Sequence, residues 1–176
     1  MTAVGDVLVL VEGESDAAVV RVLAAARGLT DVPILPTGGA TGARRALARL
    51  EHRPAAVLAL CDEREASYLI RASTGERDVV FVCRADLEDE LIRTLGIERA
   101  LAVLAATGDL RAAPTLQAQP DNRDRAPERR LHRFLEAGSG RKARLGAALA
   151  EAIPAGAEPP PLRALLDHLA RVLPAR

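Results

Sequence analysis

The stretch Val7-Leu-Val-Leu-Val-Glu-Gly-Glu-Ser-Asp16 runs five apolar residues into a glutamate, a glycine and two further acids. A near-continuous hydrophobic run of this length reads as a strand buried on both faces. The amphipathic pattern from Ser15 to Arg27 makes it a strand feeding a crossover helix, closed by Gly28. The unit recurs along the chain. Val32 to Leu35, Ala55 to Leu60 and Val79 to Cys83 are the other candidate strands, separated by helical patterns at Ala43 to Glu51 and Glu63 to Arg71 and by turn signals at Thr37 to Gly42 and Ser73 to Gly75. This alternation predicts an α/β fold: a Rossmann-like four-stranded parallel sheet with helices on both faces.

Past Cys83 the pattern stays helical. Segments are expected at Asp86 to Leu95 and Glu98 to Ala106. A loop rich in Pro, Asn and Asp follows from Thr107 to Ala126, then helices from Pro127 to near Gly138, from Arg141 to Ile153, and from Pro161 to Val172. The expected organisation is an α/β domain over residues 1–106 and a helical C-terminal extension over residues 107–176.

Length and composition bound the function. A chain of 176 residues that is 49% hydrophobic can bury one ordinary core. With 24 basic and 24 acidic side chains its formal charge is zero, so affinity for a polyanion has to come from a local patch. No apolar run approaches the roughly 20 residues that span a bilayer, and no secretory leader opens the sequence, so a cytoplasmic protein without a membrane partner is expected. Cys61 and Cys83 then read as reduced, small buried side chains. Two Phe, one Tyr and no Trp argue against a module that stacks single-stranded bases on aromatic rings.

Ligands of open parallel sheets bind beyond the carboxyl ends of the strands, and the acids of this chain collect there. Glu12, Glu14 and Asp16 follow the first strand; Asp62, Glu63 and Glu65 follow the third; Asp86, Glu88, Asp89 and Glu90 follow the fourth. Acids at helix starts also cap free N–H groups and favour the dipole, which accounts for Glu14, Glu63 and Glu90. Three separate clusters exceed what capping requires. Close carboxylates repel unless a hard cation lies between them, so the pattern points to Mg²⁺ or Mn²⁺, as one or two ions.

Of the 24 basic residues only Lys142 is a lysine. A position that keeps a compact ammonium in an arginine-biased chain suits transition-state charge or proton transfer. It lies in the most basic stretch, 123–144, where eight basic residues stand against three acidic ones. Arg129, Arg130, Arg133, Arg141 and Arg144 of that stretch are candidate phosphate contacts, with a plain solvated helix face as the alternative. Other features carry less. Thr37 to Gly42 matches neither the dinucleotide nor the P-loop fingerprint and reads as a strand-to-helix turn. His52, His132 and His168 lack metal-type spacing and read as surface residues.

Val7 to Asp16 resembles the opening motif of Toprim domains, and Leu58-Ala-Leu-Cys-Asp-Glu-Arg-Glu65 resembles their second. The likeness is strongest to the Toprim domains of overcoming-lysogenization-defect (OLD) nucleases and of small actinobacterial Toprim nucleotidyl transferase/hydrolase domain proteins, where Asp86-Leu-Glu88 also has a counterpart. It covers residues 5 to 95, and more loosely Ser139-Gly-Arg-Lys142. The resemblance implies that Glu12 and Asp62 are central metal ligands, that Asp16, Asp86 and Glu88 complete the cation sites, and that Lys142 is catalytic. Two departures stand out. The usual Asp-x-Asp has Arg64 at its second acid position, so either Glu65 substitutes or one metal site is weakened. The P-loop of the ATPase domain fused to OLD Toprims is absent, so any ATP dependence would need a separate ATPase.

The expected function is a metal-dependent nuclease or phosphodiesterase acting on DNA or another polynucleotide. The alternatives are an inactive Toprim-like module that docks nucleic acid or an ATPase, and a nucleotidyl transferase, which uses the same metal geometry. Oligomeric state is not encoded in any motif.

Overall fold

A computed structural model describes residues 7–108, 127–136 and 140–173. Four strands, β1 (Val7–Val11), β2 (Ile34–Pro36), β3 (Ala56–Asp62) and β4 (Val79–Cys83), form one parallel sheet in the order β2-β1-β3-β4. Eight α-helices are described. They are α1 (Glu14–Ala26), α2 (Ala43–Ala48), α3 (Ala66–Ala72), α4 (Leu87–Leu95), α5 (Ile97–Ala106), α6 (Pro127–Glu136), α7 (Arg141–Glu151) and α8 (Pro160–Val172). Most of the expected loop, including Arg123 and Arg125, lies outside the described residues, as does Ser139.

Strand side chains alternate between two apolar layers, as a period of two demands. Val7, Val9 and Val11 of β1 and Ala56, Leu58 and Leu60 of β3 face a large core built with α1, α4 and α5. Leu8, Leu10, Val57, Ala59 and Cys61 face a smaller one closed by α2 and α3. Leu131, Phe134 and Leu135 of α6, Leu145 and Leu149 of α7, and Leu162, Leu165, Leu166 and Leu169 of α8 all enter the larger core. The C-terminal helices therefore complete the cover of that sheet face. Gly146 brings α7 hard against α1, since a Cβ there would lie 3.1 Å from Val19 Cγ2.

Several boundaries differ from the sequence reading, and α2 stops at Ala48, short of the expected Glu51. β2 starts after Pro33, which has no N–H to give a ladder, although the Pro33 carbonyl still accepts from Val9 N at 2.9 Å. β3 runs on to Asp62, paired with Cys83. α3 starts late because residues 63–65 form a turn in which Glu65 N donates to the Asp62 carbonyl at 3.1 Å. That turn brings Glu65 back toward β1. Both cysteines are free and buried. Among the described residues no helix is long and apolar enough to cross a membrane.

Candidate functional site

The strand order reverses between β1 and β3, since the chain leaves β1 toward β2 and returns across it to β3. Side chains at the carboxyl ends of these two strands flank a crevice that no crossover covers. Glu12 follows β1 and Asp62 ends β3. Glu12 Oε1 accepts the Asp62 backbone N–H at 2.6 Å, which locks the two strand ends together.

The other acids close in from the neighbouring loops. Asp16 sits in the first turn of α1 and its Oδ2 accepts from Gly13 N at 2.9 Å, so it also caps its own helix. Asp86 is the N-cap of α4, its Oδ1 accepting from Asp89 N at 2.9 Å. It follows Ala85, whose φ of 67° is a left-handed conformation that costs a side-chain-bearing residue energy. Glu88, 2% exposed, meets Lys142 Nζ at 3.2 Å from its Oε2. Lys142 thus reaches from α7 over the first turn of α4. Glu90 does something else: it accepts from Arg84 N and pairs with Arg93, closing the turn between β4 and α4.

The carboxylates hold one another's protons. Burial, then the charges of Asp62 and Glu65, push Glu12 up to about 8 against the pull of its backbone hydrogen bond. Burial and the charges of Asp86, Asp16 and Glu88 push Asp62 up to about 7. Asp16 and Glu88 are raised, burial again leading, although Lys142 opposes it. Burial also pushes Asp86 up, but the hydrogen bonds from His132 and Asp89 outweigh it and leave it below its usual value. Burial pulls Lys142 down, and Glu88, Asp16 and Asp86 more than restore it, so it stays charged.

Buried acids elsewhere are treated differently. Glu158 takes both Arg27 Nε and Nη2 at 2.8 Å, and that pairing, working against burial, holds it down at about 2. Asp78 accepts from Val57 N and Gly75 N and pairs with Arg53. The fold satisfies acids with donors where they are structural; at the sheet edge it crowds them.

His132 is the residue that sequence spacing missed. Its Nε2 lies 2.6 Å from Asp86 Oδ2, 46 residues away in the chain. Glu65, not Arg64, turns toward the site and reaches the Glu12 carboxyl, while Arg64 is exposed. Arg129 and Arg133 are exposed on α6 and Arg144 on α7. Arg130 is half-buried, and Arg141 lies over the Phe134 ring at 5.2 Å. Burial, then Glu12, Asp62 and Glu65, push the Cys61 thiol up to about 12, which leaves it inert.

Among the described residues no group of three or more His, Cys, Asp or Glu side chains is arranged so that it could hold a metal ion as it stands. Glu12, Asp16, Asp86 and Glu88 each accept from a protein donor, while the Asp62 carboxyl accepts from none among the described residues. The groups gathered at this edge are all carboxylates, the ligand type that hard divalent cations take once it is deprotonated.

No family model matches the sequence, and no curated protein matches it. Solved structures do. The C-terminal region of the OLD protein of Xanthomonas campestris pv. campestris superposes with a TM-score of 0.64 at 19% identity, over 95% of each chain. The C-terminal region of the Burkholderia pseudomallei OLD protein does so with a TM-score of 0.65 at 17% identity, over 95% of this chain and 98% of that one. Over 95% of its length the chain therefore has the fold of an OLD protein C-terminal region.

Proposed function

We propose that this chain is a divalent-metal-dependent phosphodiesterase of the Toprim class, cutting DNA or another polynucleotide. The observation that carries this reading is the crowding of Glu12, Asp16, Asp62, Asp86 and Glu88 where β1, β3 and β4 end, with Glu12 and Asp62 pushed up to about 8 and about 7. Capping accounts for Asp16 and Asp86 and the Lys142 pair for Glu88, but neither accounts for Glu12 and Asp62 held raised side by side, whereas Glu158 is held low by its arginine.

Glu12 and Asp62, with Asp16, Asp86 and Glu88, would hold Mg²⁺ or Mn²⁺, and Glu65 supplies the acid missing at Arg64. A cation of this kind lowers the pKa of an attacking water and stabilises charge developing on the phosphoryl oxygens. The protein's own groups do the rest. Glu12 and Asp62 would have to be deprotonated to ligate the cation. His132 holds the Asp86 carboxylate in one orientation. Lys142, kept charged by Glu88, offers an ammonium to a phosphate and acts as a charge rather than as a proton donor.

Incubating the purified chain with supercoiled plasmid, linear duplex, single strand and RNA, in Mg²⁺, Mn²⁺ or EDTA, tests the reading. Cleavage that EDTA abolishes and Glu12→Gln removes is the expected result. Arg64 favours a second reading, a module that docks nucleic acid or a separate ATPase without turnover. Binding without cleavage in any metal would select it.

A further inference from the structure

A cavity of about 330 Å³ opens between the end of β2 and α2, on the β2 side of the sheet edge that carries Glu12. Leu35, Pro36 and Ala46 make apolar wall, and Thr37, Arg45 and Arg49 make polar wall. No acidic side chain lines it.

Arg45 on α2 and Arg49 at its C-cap stand one helical turn apart on the same face, and both are exposed. Neither has a hydrogen bond or ion pair among the described residues. Arg44 and Arg64 also lack such a pair; what sets Arg45 and Arg49 apart is that both line the cavity. Two like charges at this spacing repel, and an anion between them removes the cost. An apolar wall beside a pair of guanidiniums suits a ligand with one hydrocarbon-like part and one phosphate, and the volume lies at the small end of organic-ligand pockets.

The position along the sheet narrows the ligand. Thr37 donates from both N and Oγ1 to the Val11 carbonyl, at 2.9 and 3.1 Å, and Gly39 N donates to the Glu12 carbonyl at 3.0 Å. The cavity wall is thus bonded to the residues from which Glu12 projects. β2 is the neighbour of β1 on one side, and β3 and β4 lie on the other. Cationic groups therefore bracket the acids: Arg45 and Arg49 beyond β1, and Lys142 beside Glu88 after β4.

We propose that this cavity is the docking subsite for the nucleotide next to the scissile phosphate, with Arg45 and Arg49 holding its phosphate and Leu35, Pro36 and Ala46 receiving its sugar and base. The assignment rests on the phosphodiesterase reading for its polymer and adds the direction in which the strand leaves the acids. A base enters such a pocket only after leaving its stack, so the subsite favours a single strand or a frayed end over intact duplex.

The test is an NMR titration of the full ¹⁵N-labelled chain with the 5′-phosphorylated dinucleotide pdTdT, in EDTA so that nothing is cut. Shifts should concentrate at the amides of Thr37 and Gly42 and at the Nε groups of Arg45 and Arg49. Arg45→Gln with Arg49→Gln should weaken pdTdT by about tenfold and lower the salt slope of a single-stranded oligonucleotide by about 0.7 for the one phosphate they hold. Ala46→Phe, which fills the cavity and keeps both charges, should also block pdTdT. Arg44→Gln, on the same helix but outside the cavity, should change affinity by less than about twofold. An equal loss in Arg44→Gln, or shifts that bypass these four residues, overturns the proposal in favour of general charge. The Mn²⁺ cleavage assay reads the two ideas apart. Local shifts without cleavage keep the subsite and sink the phosphodiesterase, whereas cleavage without local shifts does the reverse.

Discussion

Glu12 and Asp62 sit where a proton is held more tightly in the folded chain than in the unfolded one. A carboxyl raised on folding stabilises at low pH, and that contribution is lost as pH climbs from its unfolded to its folded value. For Glu12 the window runs from 4.5 to about 8 and for Asp62 from 3.8 to about 7. In EDTA the melting temperature should therefore fall between pH 5 and pH 8, and Glu12→Gln, which copies the protonated form, should flatten that fall. An unchanged slope in the variant would remove Glu12 from the account. Mn²⁺ affinity should rise over the same window, because metal and proton compete for the same oxygens; calorimetry in buffers of different ionisation enthalpy would show the released protons. Lys142→Arg keeps the charge but replaces a compact ammonium, 3.2 Å from a buried carboxylate, with a wider planar group. Cleavage should drop by about 100-fold while oligonucleotide affinity at two salt concentrations stays put. If binding falls in step with cleavage, the lysine positions substrate and does no more.

Two elements hold the site's geometry through close backbone contacts. The turn between β4 and α4 places Ala85 at φ 67° so that Asp86 can cap α4 and face His132. Ala85→Gly removes that strain and should raise stability by about 0.5–1 kcal/mol, after allowing for the extra freedom glycine has in the unfolded chain. Urea unfolding measures it, and a loss of stability would mean the turn is relaxed as it stands. Helix α7 carries Gly146 one turn after Lys142, and Gly146 touches Val19, one turn after Asp16 on α1. The close approach of these helices is what lets Lys142 reach the acids. Gly146→Leu should cost about 1–3 kcal/mol by overpacking and also slow cleavage, because α7 must back away. Full activity in a destabilised Gly146→Leu protein would show that Lys142 does not depend on this contact.

At the scale of the molecule, α6, α7 and α8 share one core with β1 and β3. A chain ending at residue 106 would uncover Val19, Leu23 and Leu58, all 2% exposed or less with the C-terminal helices in place, and would lose His132 and Lys142. Burying a large aliphatic side chain is worth about 1.5–3 kcal/mol, so uncovering several outweighs the few kcal/mol by which a domain is stable. Full-length protein should unfold in one transition, with circular dichroism and amide NMR coinciding. The 1–106 fragment should lack dispersed amide signals. A well-dispersed spectrum from that fragment would show that the sheet stands without its C-terminal cover.

What the sequence determined by itself is local. Five apolar residues in a row make a doubly buried strand wherever they pair, Gly and Pro break the chain where they stand, and an acid directly after a strand must lie at its carboxyl end. The four strands, their parallel direction and the acid clusters were legible for that reason. Tertiary structure decided what depends on residues far apart in the chain. The order β2-β1-β3-β4 set Glu12 against Asp62 at the reversal point, and no local pattern encodes strand order. His132 looked like a surface residue because periodicity reports which face of a helix a side chain occupies and not what that face meets; only packing α6 beside α4 brought it to Asp86. The same holds for Arg45 and Arg49, whose spacing puts them on one face of α2, while the cavity beside them exists only because β2 stands next to it.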